Sequence, residues 1–199
     1  MATATDRATA LIRKKGLVRS SELEAKGISR STLRRLDSRG IIERVGRGVY
    51  GLPGVVLTEH HSLAEASRLV PRGVICLLSA LRFHELTTQN PFEVWIAIDA
   101  KAWRPKRGAL KIRIVHFSGA SFSKGVEEHD VAGVRIRVTS AAKTVADCFK
   151  FRNKIGIDVA VEALKDFTRV HRGEANDLAR FARICRVSRV MQPYLDAIG

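Results

Sequence analysis

Few residues of this chain are spaced to do covalent chemistry. An acid–x–Lys step, Asp99-Ala100-Lys101, follows the apolar run FEVWIAI. Metal-dependent nucleases place an acid and a lysine this way, to hold magnesium and to steady an attacking water. That chemistry needs a second carboxylate on a neighbouring strand. The next strand-like run, LKIRIVHF (110–117), offers none, and Glu93 shares the run that leads to Asp99. Glu59, His60 and His61 are ligand types, but adjacent residues on one helix point in different directions and do not share an ion. His84, His116, His129 and His171 stand apart, and no P-loop, GxSxG or HExxH occurs. Cys76, Cys148 and Cys185 form no CxxC, so neither a zinc ribbon nor a disulfide framework is expected. Cys148 and Cys185 sit among apolar neighbours and are expected as buried thiols. A nuclease working through Asp99 and Lys101 stands only as an alternative; no catalytic residue, metal or cofactor is expected.

The chemistry the sequence does offer is that of guanidinium groups. The first fifty residues hold twelve basic residues against five acidic ones. Within 29–39, Ser29, Arg30, Ser31, Thr32, Arg34, Arg35 and Arg39 surround Leu33 and Leu36. On a helix the leucines point to a core, leaving the arginines on the other side. Arginine forks onto guanine O6 and N7 or onto phosphate, and serine and threonine bond to either. A solvated arginine face is the plain alternative.

The elements that would position these groups can be read in turn. Residues 6–15 carry Ala8, Leu11 and Ile12 at helical spacing, and Gly16 stops them. Leu17 and Val18 form a short apolar link. Ser20 or Ser21 can cap a second helix, SELEAKG, closed by Gly27. Ser29 caps a third, running to Arg39, and Gly40 ends it. Helix, short turn, helix is helix-turn-helix grammar, and the first turn of the second helix of such a pair reaches base edges. Two β segments follow, 41–45 and 49–52, around Gly46-Arg47-Gly48, a hairpin turn that makes a wing. Arg47 at its tip and Arg44 on its flank can reach a minor groove or phosphates. Arg19, before the second helix, completes the candidate DNA-contacting set.

Beyond Pro53 the character changes. Residues 62–69 read as a helix, VICLLSALRFHEL (74–86) as one buried helix, and 92–98 and 110–117 as strands. Segments 126–130 and 134–138 flank Ala132-Gly133 as a hairpin. SAAKTVADCFKFRNKI reads as a helix ending near Gly156, and 157–170, 176–187 and 191–198 as three more. The fold class is therefore α+β: a winged helix-turn-helix (1–54), then an α+β domain (55–199) with a small, mainly antiparallel sheet and C-terminal helices. Lys101, Arg104, Lys106 and Arg107, with Lys111, Arg113 and Trp103, can form a second basic patch suited to phosphates and bases, a solvated loop with Trp103 tucked into the core being the plain alternative.

The charge supports a polyanionic partner. The formal net is +15, with a pI of about 10.6, beyond the magnitude of about 8 at which a solubility charge for a small domain usually stops. No apolar run approaches the roughly 20 residues that a bilayer requires. With no secretory leader in MATATDRATALIRKK, a cytoplasmic location is expected.

Several stretches together, GVYGLPG (48–54), LLSALRFHELTTQNPFEVWIAI (77–98), SAAKTVADCFKFRNKIGIDVAVEAL (140–164) and ARICRVSRVMQPYL (182–195), resemble the AbiEi-type antitoxins of bacterial type IV toxin–antitoxin systems. The likeness runs from about residue 6 to 198. It implies an N-terminal winged helix that binds inverted repeats in the operon's own promoter and represses it. It also implies a C-terminal domain that counteracts a nucleotidyltransferase-like toxin encoded next door, without a stable complex. Arg30, Ser31, Thr32, Arg34, Arg35 and Arg47 fall on the family's DNA-facing positions. Lys143, Thr144, Asp147 and Arg152 fall in its C-terminal block, where helix packing is their expected role. Stand-alone regulators share the architecture. Palindromic sites need two copies, so a monomer or weak dimer binding double-stranded DNA cooperatively is expected.

Overall fold

Helix α1 (Ala4–Lys15) begins at a capping box: Thr3 Oγ1 accepts the Asp6 N–H at 3.2 Å, and Asp6 Oδ2 accepts the Thr3 N–H at 2.9 Å. These bonds satisfy donors that a helix start leaves open. The computed structural model describes residues 3–16, 18–46, 48–53, 59–102, 110–131 and 133–198. Strand β1 (Val18–Arg19) leads into α2 (Ser20–Glu24). This helix is shorter than SELEAKG: Ala25–Gly27 form a turn in which the Ile28 N–H returns to the Leu23 carbonyl at 3.0 Å. Gly27 makes that return possible with φ +75°, a conformation costly for residues with a Cβ. Its cap is Arg19 rather than Ser20 or Ser21.

Helix α3 (Arg30–Ser38) follows, capped by Ser29, and strands β2 (Glu43–Gly46) and β3 (Val49–Gly51) pair antiparallel. Strand β1 pairs with the other edge of β3, Val18 opposite Tyr50, so the wing is a three-stranded sheet in the order β1-β3-β2. Ala8, Ile12, Val18, Leu23, Ile28, Leu33, Leu36, Ile42 and Tyr50 make the core beneath it. Helix α4 (Glu59–Leu69) packs on β2 and β3. The compact unit containing these elements comprises Met1–Arg72, Pro105–Ile112 and His129–Ile136.

The second unit comprises Gly73–Arg104, Arg113–Glu128 and Arg137–Gly199. The elements that follow α4 in the chain are β4 (Val74–Ile75), α5 (Leu77–Phe83), β5 (Val94–Asp99), β6 (Ile112–Phe117), α6 (Ala120–Ser123), β7 (Val126–Val131) and β8 (Val134–Thr139), the last two divided between the units. Helices α7 (Ala141–Lys150), α8 (Arg152–Ile155), α9 (Ile157–Val170), α10 (Ala175–Cys185) and α11 (Ser188–Ile198) complete the chain. The strands form a five-stranded sheet in the order β6-β5-β4-β8-β7, in which β4 runs antiparallel to β5 and parallel to β8. The protein is α+β, with a small antiparallel sheet and a larger mixed one.

Two further expectations are corrected. Residues 74–86 are not one helix. Val74 and Ile75 form the central strand of the larger sheet, and the helix starts only at Leu77. A strand buried on both faces reads as a continuous apolar run, so periodicity does not separate it from a buried helix. The helix opened by Ser140 also stops early: α7 ends at Lys150, and α8 starts afresh after Phe151.

Helix α7 is the core of this unit, with every residue from Ala141 to Phe149 buried. Among them are Lys143 and Asp147, one turn apart, at 0% exposure, forming an ion pair. Cys185 Sγ on α10 donates to Asp147 Oδ1 at 3.1 Å, and the Lys143 ammonium lies 4.8 Å from the centre of the Phe117 ring. Burial raises the Asp147 carboxyl, and the charge and hydrogen bond of Lys143 oppose it. All three cysteines are buried, and burial pushes the Cys185 thiol up to about 12. Gly125 completes the packing: a Cβ there would lie 2.5 Å from the Phe181 ring. Removing one member of a buried pair strands the other charge. Lys143→Met is therefore expected to destabilise the protein by about 3–5 kcal/mol in chemical denaturation. Lys143→Met with Asp147→Leu should recover most of the loss; a single variant as stable as the parent contradicts this account.

Candidate nucleic-acid interface

Leu33 and Leu36 are 0% and 1% exposed, and their burial fixes the rotation of α3. Arg30, Ser31, Arg34 and Arg35 are consequently exposed, with Arg30 above Arg34 and Ser31 above Arg35 at i,i+4 spacing. At the start of the helix, Ser29 Oγ accepts the Thr32 N–H at 3.2 Å and lies 2.8 Å from Ser31 Oγ and 3.0 Å from Thr32 Oγ1. Three hydroxyls are thus held together at the first turn, where polar groups of a recognition helix meet base edges.

The arginines are not equivalent. Arg30 Nε donates to Glu24 Oε1 at 2.6 Å, and that contact holds its guanidinium above the usual value. Its side chain remains 78% exposed. Arg34, Arg35 and Arg39 are exposed and make no ion pair among the described residues. Arg44 is exposed on β2, opposite Tyr50. Its backbone N–H donates to Asp37 Oδ1 at 3.1 Å, so a carboxylate of α3 tethers the wing strand directly. Arg47 lies outside the described residues.

Arg19 stands apart from this set. It is half-buried on β1, opposite Val49, and lines a cleft with Glu22 and Arg68. Glu22 takes the Lys15 ammonium at 2.7 Å, the Arg68 guanidinium, and the Arg19 N–H at 3.4 Å. Burial alone would raise the Glu22 carboxyl, but these contacts outweigh it and hold the group below its ordinary value. The cluster clamps α1, α2 and α4 together.

The second basic patch falls mostly outside the described residues, which exclude Trp103, Arg104, Lys106 and Arg107. Lys101 is exposed, and its N–H donates to Asp99 Oδ1 at 2.9 Å in the turn after β5. Arg113 pairs with Glu93 at 2.5 Å and covers the Trp95 ring at 4.8 Å. Asp99 therefore closes a turn, and Glu93 is engaged by a guanidinium. Among the described residues, no group of three His, Cys, Asp or Glu side chains is placed to hold a metal ion. The side chains of Glu59, His60 and His61 lie outside the description. No described helix is long and apolar enough to cross a membrane.

A helix-turn-helix followed by an antiparallel wing, with arginines on the third helix, defines the winged helix-turn-helix class. Residues 6–53 are similar to the family described as transcriptional regulator, AbiEi antitoxin, whose model they match. No curated protein matches the chain.

Sequence reasoning missed Glu65, which sits on α4 at 2% exposure, with an Oε1 that lacks a hydrogen-bond partner among the described residues. Burial, and secondarily the charge of Glu43 on β2, raise its carboxyl to about 7. An acidic residue within EHHSLAEASRL gives no sign of this, because the α4 face that packs on the wing is set by tertiary structure. A carboxyl raised on folding binds a proton in the native state first. Its ionisation therefore weakens the fold as pH rises from about 4.5 to about 7. Glu65→Gln should flatten this decline in thermal melts taken across that window. An unchanged slope would place the titrating group elsewhere.

Proposed function

We propose that the chain is a sequence-specific repressor, the antitoxin of a type IV toxin–antitoxin operon. In this reading residues 1–54 bind inverted repeats in the operon's own promoter, and residues 55–199 counteract a nucleotidyltransferase-like toxin without a stable complex. The observation that carries the DNA-binding part is the exposed set of Arg34 and Arg35 on the third helix and Arg39 at its C-terminal cap, free of carboxylate partners among the described residues, in a segment matching a transcriptional-regulator family. A guanidinium with no internal carboxylate keeps its full charge for a polyanion. Helix α3 enters the major groove, with Ser29, Ser31 and Thr32 at its leading end and Arg30, Arg34 and Arg35 along it. Arg44 and Arg47 approach the backbone or minor groove from the wing. Arg19 and Arg39 contact flanking phosphates, and Lys101, Arg104, Lys106 and Arg107 supply a second basic surface. Two copies bind the palindrome cooperatively.

Gel shifts on the chain's own upstream region test the first half. If about six phosphates are neutralised, log K should fall with log salt at a slope of about −5. Arg34→Ala should cost about 1–3 kcal/mol on the operator and less on random DNA if the residue reads a base. An equal loss on both reassigns it to phosphate, and no retention at low salt sinks the DNA-binding reading. Co-expression with the product of the adjacent reading frame tests the second half. Rescue of growth without co-purification supports antitoxicity. Rescue with a stable complex points instead to direct masking, and no rescue leaves a stand-alone regulator.

A further inference from the structure

Helices α9, α10 and α11 line a pocket of about 280 Å³, open to solvent on one side, with Phe167, Leu178, Ala182, Met191 and Leu195 among its walls. Phe167 and Met191 are 1% and 0% exposed, so they are core residues that border empty space. The room exists because α10 presents alanines here, Ala175, Ala179 and Ala182, where larger side chains would close it. The pocket's size lies at the small end of ligand sites, which combine apolar walls with a few placed polar groups.

The polar residues in this lining are Thr168 on α9, whose hydroxyl donates to the Lys165 carbonyl at 2.9 Å, and His171 and Arg172 from the turn between α9 and α10. The His171 ring stacks on Phe167, with centroids 5.1 Å apart, and its Nδ1 lies 2.9 Å from Glu174 Oε1. The neighbouring carboxylates are all engaged: Asp166 by Arg169, Glu174 by His171 and Asp177 by Arg180, each at 2.9 Å, and Asp196 by Gln192 at 2.7 Å. Arg172 is exposed and makes no ion pair among the described residues. An apolar hole beside an uncompensated guanidinium complements one kind of small molecule.

We propose that this cavity binds a small amphipathic carboxylate, its apolar tail among Phe167, Leu178, Met191 and Leu195 and its carboxylate on the Arg172 guanidinium. A planar guanidinium meets a carboxylate through two parallel hydrogen bonds, which fixes the head while burial of the tail supplies the affinity.

Octanoate is the probe, octanol its uncharged counterpart, and the full chain the receptor, with binding read by calorimetry and by the shift in melting temperature. Octanoate should bind saturably and raise the melting temperature. Arg172→Ala should weaken octanoate at least tenfold and leave octanol unchanged, and Arg172→Gln should behave alike. Ala179→Leu, at an exposed lining position that tolerates a larger side chain, should abolish binding of both. The site is refuted if octanoate shows no saturable binding or binds the Ala179→Leu variant as well as the parent. Equal octanoate affinity in the Arg172 variants also refutes it, because the cavity would then accept any apolar group, including a partner's side chain.

Discussion

The exposed arginine surface depends on how two leucines settle α3 into the core. Burying Leu33 and Leu36 contributes about 1.5–3 kcal/mol each, whereas like charges at i,i+4 on a helix oppose it by only about 0.2–0.5 kcal/mol per pair. The hydrophobic term therefore decides the rotation of the helix, and Arg30, Arg34 and Arg35 are carried outward. The capping bond from Ser29 and the Asp37 tether then fix the two ends of the same element, one to its own first turn and the other to β2. Helix and wing are set relative to one another by a hydrogen bond rather than by loop length alone.

Charge is distributed with a similar logic across the first unit. Glu22 gathers Lys15 and Arg68 between helices, and Glu24 reaches Arg30 at the edge of α3. The carboxylates thus lie where elements must be joined, and the far side of α3 carries none. Repulsion among Arg34, Arg35 and Arg39 is a small, standing cost to folding that a polyanion would remove on binding. Glu65 differs: it is buried on α4, its Oε1 has no hydrogen-bond partner among the described residues, and burial raises its carboxyl to about 7.

How much of this the sequence discloses depends on whether the deciding contacts are local. Helices α1, α3 and α9 and the β2–β3 and β7–β8 pairs could be read from apolar spacing and glycines, because each is specified by neighbours in sequence. Strand β1 could not, since two residues become a strand only through Val49 and Tyr50, far along the chain. The strand Val74–Ile75 is hidden in an unbroken apolar run, and the break at Phe151 carries neither glycine nor proline to announce it. The arginine face of α3 was legible for the same local reason as the helix. The pairing of Arg30 with Glu24, the wing tether from Asp37 and the separate place of Arg19 beside Glu22 were not, because they depend on how α2, α3 and the wing come together.

The second unit answers a different problem with the same materials. Taking Lys143 and Asp147 out of water costs more than an apolar pair of the same size would, and the cost is tolerable only because each group is engaged. Asp147 receives Lys143 and the Cys185 thiol, and Lys143 also faces the Phe117 ring. These directional contacts join α7, β6 and α10. On the outer helices the ordering reverses. Asp166, Glu174 and Asp177 pair with neighbours three residues away, and Arg172 is left over beside an apolar hole. Cations that remain after every nearby carboxylate is engaged mark the outer face of α3 and the turn before α10 alike. In a chain with fifteen more basic than acidic side chains, total charge does not locate a site; the local failure of charge to cancel, on a rigid and otherwise satisfied element, does.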